Sequence, residues 1–135
     1  NLFGLIMECG LGRAEALGLM WEDVDEEQGI LIVRREYVDE VGNLILRNIK
    51  REKTISLSRS AERYLMRERG AQQERRRVNG EWHGEGKNFV FTENDGYPIR
   101  PDRASFEMLE LSKELGIDGL NLRNLKASYE RRYGL

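Results

Sequence analysis

Apolar and polar positions alternate along the chain in a way that divides it into helical and extended stretches. Residues 1–9 carry Leu2, Phe3, Leu5, Ile6 and Met7, apolar on most sides, and predict a buried helix. Gly10 and Gly12 break it. Residues 13–20, with Ala14, Ala16, Leu17 and Leu19, predict a second helix closed by Trp21 as a core or rim anchor. Asp23, Asp25, Glu26, Glu27 and Gly29 read as a polar turn of solvated caps. Residues 30–38 alternate as a strand, with Ile30, Ile32, Arg34, Glu36 and Val38 on one face and Leu31, Val33, Arg35 and Tyr37 on the other. Residues 44–49 and 53–57 predict two more strands, with turns at 39–43 and 50–52, so that the three form an antiparallel meander. Ser58 is the expected N-cap of a helix that turns Ala61, Tyr64, Leu65 and Glu68 inward. Gly70 either ends that helix or interrupts one that resumes to Arg77. A glycine-rich loop with Trp82 and His83 leads to a short buried extended piece at 88–91. Pro101 and Asp102 suit the first turn of a further helix. Phe106, Met108, Leu109, Leu111 and Leu115 form its apolar stripe and Gly116 ends it. A last helix over 120–132 turns Leu122, Leu125 and Tyr129 inward. The expected fold class is α+β, mainly α-helical with a small three-stranded antiparallel sheet.

Composition narrows the chemistry. At 135 residues the chain reads as one domain, and because it opens on Asn1 within a helical pattern it reads as a fragment of a longer protein. Cys9 is the only cysteine, so no internal disulfide forms, a reducing compartment is expected, and the thiol reads as core. No apolar run approaches the roughly 20 residues of a membrane span. His83 is the only histidine, which leaves no metal site and no Ser-His-Asp triad, and no glycine-rich nucleotide loop is present. No metal and no cofactor is expected. The net charge of −2 hides a segregation: residues 1–42 hold 3 basic and 10 acidic side chains, whereas residues 43–77 hold 11 and 4. A basic block in a near-neutral chain is either a solvated face or an electrostatic footprint for phosphate.

Several phrases together carry a resemblance. Gly10-Leu11-Gly12-Arg13 precedes Glu15, and Leu19, Trp21, Asp23, Val24 and Asp25 follow. Lys53-Thr54-Ile55-Ser56-Leu57 closes the strand region, Phe91-Thr92 leads to Gly96-Tyr97-Pro98, and Leu115-Gly116-Ile117 leads to Leu120-Asn121-Leu122-Arg123. In this order and spacing the chain resembles the catalytic domain of the phage-integrase (tyrosine recombinase) family over nearly its whole length. The resemblance implies metal-free DNA breakage and rejoining, in which a tyrosine attacks phosphate, two arginines clamp its oxygens, and a hairpin lysine serves as general acid.

Carried over position by position, that set is depleted. The first arginine column holds Gly12, with Arg13 one residue later. The hairpin lysine column holds Asn48 without gaps, or Lys50 if the register shifts. The second-box histidine column holds Leu120, and only Arg123 is retained. Tyr129 and Tyr133 follow Arg123 too closely to be the nucleophile. The candidate catalytic residues are therefore Arg123, Arg13 and Lys50, and the candidate DNA contacts are Arg47, Lys50, Arg51, Lys53, Arg123 and Lys126. The resemblance implies a protein of DNA integration and recombination that derives from a phage or mobile element and is catalytically impaired as it stands. Its implied setting is bacterial cytoplasm, nucleoid-associated. Its implied partners are duplex DNA, bound with strong salt dependence, and further copies of itself on DNA, with no membrane partner. The alternatives are an active site completed by a further segment or a partner protomer, and a protein-interaction module that keeps only the fold.

Overall fold

The computed structural model describes residues 1–83 and 87–114. Its elements run α1 (Leu2–Cys9), α2 (Arg13–Leu17), a 3-10 turn (Trp21–Asp23), β1 (Val24–Asp25), β2 (Ile30–Glu40), β3 (Asn43–Ser56), α3 (Arg59–Asn79) and α4 (Pro101–Glu114). The three strands form an antiparallel sheet in the order β1-β2-β3. The α+β class expected from the pattern is the one observed. The helix expected over 120–132 and the glycine at 116 lie outside the described residues.

The core follows from the periodicities. α1 buries Leu2, Leu5, Ile6 and Cys9, and ends at Gly10, whose φ of 66° is left-handed. Helix α2 ends three residues short of the expected Met20. Gly18 packs its α-carbon against the backbone of Arg35 and Glu36, and a side chain there would meet the Arg35 carbonyl at 3.0 Å. Leu31 and Val33 project from β2 into the same cluster, as the alternation predicts, with Ala61, Leu65, Val90, Phe91, Ala104 and Met108 opposite. Ser58 caps α3 through Ala61 N–H at 3.1 Å, and Ala61, Leu65 and Glu68 are buried.

Four expectations are corrected. The helix α3 passes straight through Gly70 to Asn79, because its second half is tied down: Gln72 accepts from the Trp21 indole N–H at 3.0 Å and donates to the Phe89 carbonyl at 2.8 Å. Trp21 is thereby the rim anchor expected of it. The acidic stretch after Trp21 supplies β1, and only Asp25 is a solvated cap, accepting from Gln28 N–H at 3.0 Å. The expected strands at 44–49 and 53–57 are one strand, β3. β2 is long enough to pair with both halves, and residues 50–52 bulge out of the ladder instead of reversing it. In α4 the inward residues are Ala104 and Met108, with Leu111 half-buried, at i, i+4, i+7 spacing. Phe106 and Leu109 point outward at 62% and 52% exposure.

Two features of the fold generate measurable outcomes. The β2–β3 turn places Val41 at φ 52° beside Gly42 at φ 83°, a left-handed pair that suits Asn-Gly and penalises a β-branched residue. The Val41 side chain is fully exposed, so it packs on nothing in return. Val41→Asn is expected to stabilise the protein by about 1 kcal/mol in urea unfolding, and no gain would show that the tip is unstrained. Burial, reinforced by Glu8, pushes the Cys9 thiol up to about 12. A thiol whose folded pKa is raised contributes stability that is complete below the unfolded value near 9 and is lost as pH climbs toward 12. Urea midpoints should fall above pH 9, less steeply in Cys9→Ala, and folded Cys9 should resist alkylation at pH 8.

Candidate nucleic-acid interface

The two arginines of β2, Arg34 and Arg35, are arranged around one buried acid. β1 is only two residues long, so beyond Leu31 the edge of β2 is covered by the 3-10 turn that ends in Asp23. The Asp23 side chain is fully buried. Its Oδ2 accepts from Met20 N–H at 2.9 Å and from Arg35 Nη1 at 2.8 Å. Arg34 Nε lies 3.2 Å from Oδ1, a charge contact off the line of a hydrogen bond. Successive residues leave opposite faces of a strand, so Arg34 and Arg35 grip the acid from both sides of the sheet edge. Arg34 also approaches Glu52 at 3.6 Å, in the bulge of β3.

That bulge decides how the cations are displayed. Pairing is regular from Glu40↔Asn43 to Arg35↔Asn48 and resumes at Val33↔Lys53, which leaves residues 49–52 opposite Arg34 alone. Lys50 and Arg51 stand in this protrusion, exposed, with no carboxylate partner among the described residues. Asn48 occupies the last regular pair beside them. Arg47 is different: Glu36 at 2.7 Å, together with Glu40, holds its guanidinium above its ordinary range. Lys53 faces α2 and pairs with Glu15, whose other oxygen accepts from Gly12 N–H at 2.8 Å.

The sequence-predicted residues are therefore only partly brought together. Lys50 and Arg51 share the bulge, and Lys53 adjoins it with its charge matched. Arg13 is exposed at the start of α2 and donates to Ser105 of α4, so it is engaged away from the bulge. Arg123 and Lys126 lie outside the described residues, as do Leu120, Tyr129 and Tyr133. Sequence reasoning missed the role of Asp23 as the buried counter-ion. It also passed over Arg59, Arg63 and Arg67, which repeat at i, i+4, i+8 along the exposed side of α3 without a carboxylate partner among the described residues. Their spacing was the available signal. Among the described residues no group of His, Cys, Asp and Glu could hold a metal ion, and no helix is long and apolar enough to cross a membrane.

No protein-family model and no curated protein matches the chain. Solved structures do. The Tn1549 transposon integrase in complex with a circular intermediate DNA superposes with a TM-score of 0.80 at 18% identity, covering 98% of this chain and 44% of that one. The same integrase with transposon right end DNA gives 0.79 at 17% identity, over 98% and 46%. The XerA recombinase gives 0.63 at 16% identity, over 92% and 39%. The chain thus spans less than half the length of each.

The buried acid yields a direct test. Arg35 has a side chain only 14% exposed, so removing Asp23 leaves a nearly buried charge with only the exposed Glu22, 3.8 Å away, as a partner. Asp23→Ala is expected to cost about 3 kcal/mol in chemical unfolding, and Asp23→Asn less, since it still accepts from Met20 N–H. An Asp23→Ala protein as stable as the parent would remove the acid from its central role. In its element order, its sheet and its superposition, the chain has the fold of a tyrosine-recombinase catalytic domain.

Proposed function

We propose that this chain is a DNA-binding, integrase-like domain of the site-specific recombinase kind, serving DNA integration and recombination and impaired in strand cleavage as it stands. The observation that carries the reading is the pair Lys50 and Arg51, unneutralised on a bulge of a sheet whose fold is shared with an integrase solved on DNA. Arginine and lysine held outward neutralise phosphates and release counterions, which supplies affinity without sequence information. The impairment rests on the residues themselves. Gly12 stands where the resemblance expects a phosphate-clamping arginine, Leu120 stands where it expects a histidine, and Arg13 is occupied by Ser105. Losing one such clamp typically removes on the order of 3 kcal/mol of transition-state stabilisation, and these losses compound.

A second reading, a protein-interaction module that keeps only the fold, draws support from one observation. Arg47 and Lys53, both expected to meet DNA, are matched by carboxylates of the same chain. The two readings separate in a gel-shift titration on duplex DNA at several salt concentrations. A DNA-binding domain should weaken steeply with salt, and Lys50→Gln with Arg51→Gln together should flatten the log–log slope by about 2, whereas Arg47→Gln should change it less. No binding at low salt would overturn the first reading. A nicked suicide duplex should give no covalent adduct with this chain, and an adduct would overturn the impairment.

A further inference from the structure

An open groove of about 760 Å³ lies between the outer half of the β2–β3 hairpin and the segment that follows α3. Tyr37, Leu44 and Leu46 line it from the hairpin, and His83, Lys87 and Tyr97 from the segment. Phe89 lies behind Tyr37, their rings 6.5 Å apart. The volume is within the roughly 300–1,000 Å³ of small-ligand sites.

Two aromatic rings are held open to solvent there by unusual means. Tyr97 is 53% exposed, yet its backbone is fixed on both sides: its N–H donates to Asp95 Oδ1 at 3.2 Å, and its carbonyl accepts from Glu93 N–H at 2.7 Å. Gly96, at φ 95°, makes the turn possible, because a side chain there would stand 2.2 Å from the His83 carbonyl. His83 is thereby laid over Tyr97, ring centroids 5.2 Å apart and planes within 14°. Arg76 over the Trp82 ring at 5.4 Å fastens the neighbouring residue. Packing gives no reason to fix an exposed tyrosine and histidine in a parallel stack, whereas a planar ligand does.

The charges select among planar ligands. Lys87 is exposed with no carboxylate partner among the described residues. Of the described carboxylates near the lining residues in the chain, Glu36 pairs with Arg47 and Glu93 with Arg103, Asp39 and Asp95 accept from Gly42 and Tyr97 N–H, and Glu81 is exposed. A flat ring system that carries negative charge fits this combination. We propose that the groove receives an unpaired nucleotide of a DNA strand, its base against the Tyr97–His83 stack and its phosphate at Lys87. The proposal rests on the DNA-binding reading and adds to it a preference for DNA that is locally unpaired. Base stacking on aromatic side chains tolerates any sequence, so the preference is for structure and not for a base.

Fluorescence anisotropy with two labelled duplexes, one fully paired and one with a short single-stranded gap, tests the idea. The chain should bind the gapped duplex about tenfold more tightly at fixed salt. Tyr97→Ala should abolish that preference while leaving affinity for the paired duplex unchanged, Tyr97→Trp should retain it, and Lys87→Gln should reduce it. A 2-aminopurine in the gap should be quenched by the parent and not by Tyr97→Ala. Equal affinity for both duplexes, or a preference that survives Tyr97→Ala, overturns the proposal and leaves duplex binding standing. Failure to bind either duplex overturns the DNA-binding reading and this proposal together.

Discussion

One carboxylate at the rim of the sheet sets the arrangement of almost everything charged nearby. Asp23 is wholly removed from solvent, and a lone acid there would be prohibitively costly. It is kept by Met20 N–H and by two consecutive arginines that reach it around the edge of β2. The contact fixes the end of the 3-10 turn against the strand and so limits β1 to two residues. It also draws Arg34 off the face of the sheet, and Arg34 in turn holds Glu52. The shape of the β3 protrusion is therefore tied to a group more than twenty residues earlier in the chain.

Electrostatic matching then sorts the basic block. Its formal excess of positive charge overstates what a partner would meet. Arg47 and Lys53 answer to carboxylates on β2 and α2, and Arg69 and Arg75 answer to Glu26 and Glu68. What remains outward without a carboxylate is sparse and placed: Lys50 and Arg51 on the bulge, and Arg59, Arg63, Arg67 and Arg76 along α3. Counting charges in a segment measures its composition, whereas the field outside the protein depends on which of those charges are already spoken for.

The α+β class, the N-cap at Ser58 and the inward positions of α3 were legible because each depends on neighbours in the chain. Trp21 was legible as an anchor, but its partner Gln72 was not, since that pairing joins residues 51 apart. The same limit hid Asp23. An acid two residues from Trp21 in an acidic run looks like a solvated cap until Arg34 and Arg35 fold onto it. β3 failed for another reason. Leu46 and Asn48 face the same way as Tyr37 and Arg35, whereas Lys53 and Ile55 face the same way as Val33 and Leu31. Even positions share a face before the protrusion and odd ones after it, and a reader of alternation sees two strands where the backbone makes one. Of the candidate site, order and spacing nominated residues, among them Lys50 and Arg51, which the bulge holds side by side. Which of their charges are free is a property of tertiary contacts.

That change of parity has an evolutionary consequence. In an ordinary ladder, losing or gaining one residue slides every later side chain to the wrong face. Here Lys50 and Arg51, between the core-packed Ile49 and the Arg34-held Glu52, form slack between two independently registered halves, and a change of length there can be taken up locally. The hairpin tip and the core-facing end of the strand are thus free to drift in length relative to each other, with the cations of the slack carried along as its variable cargo.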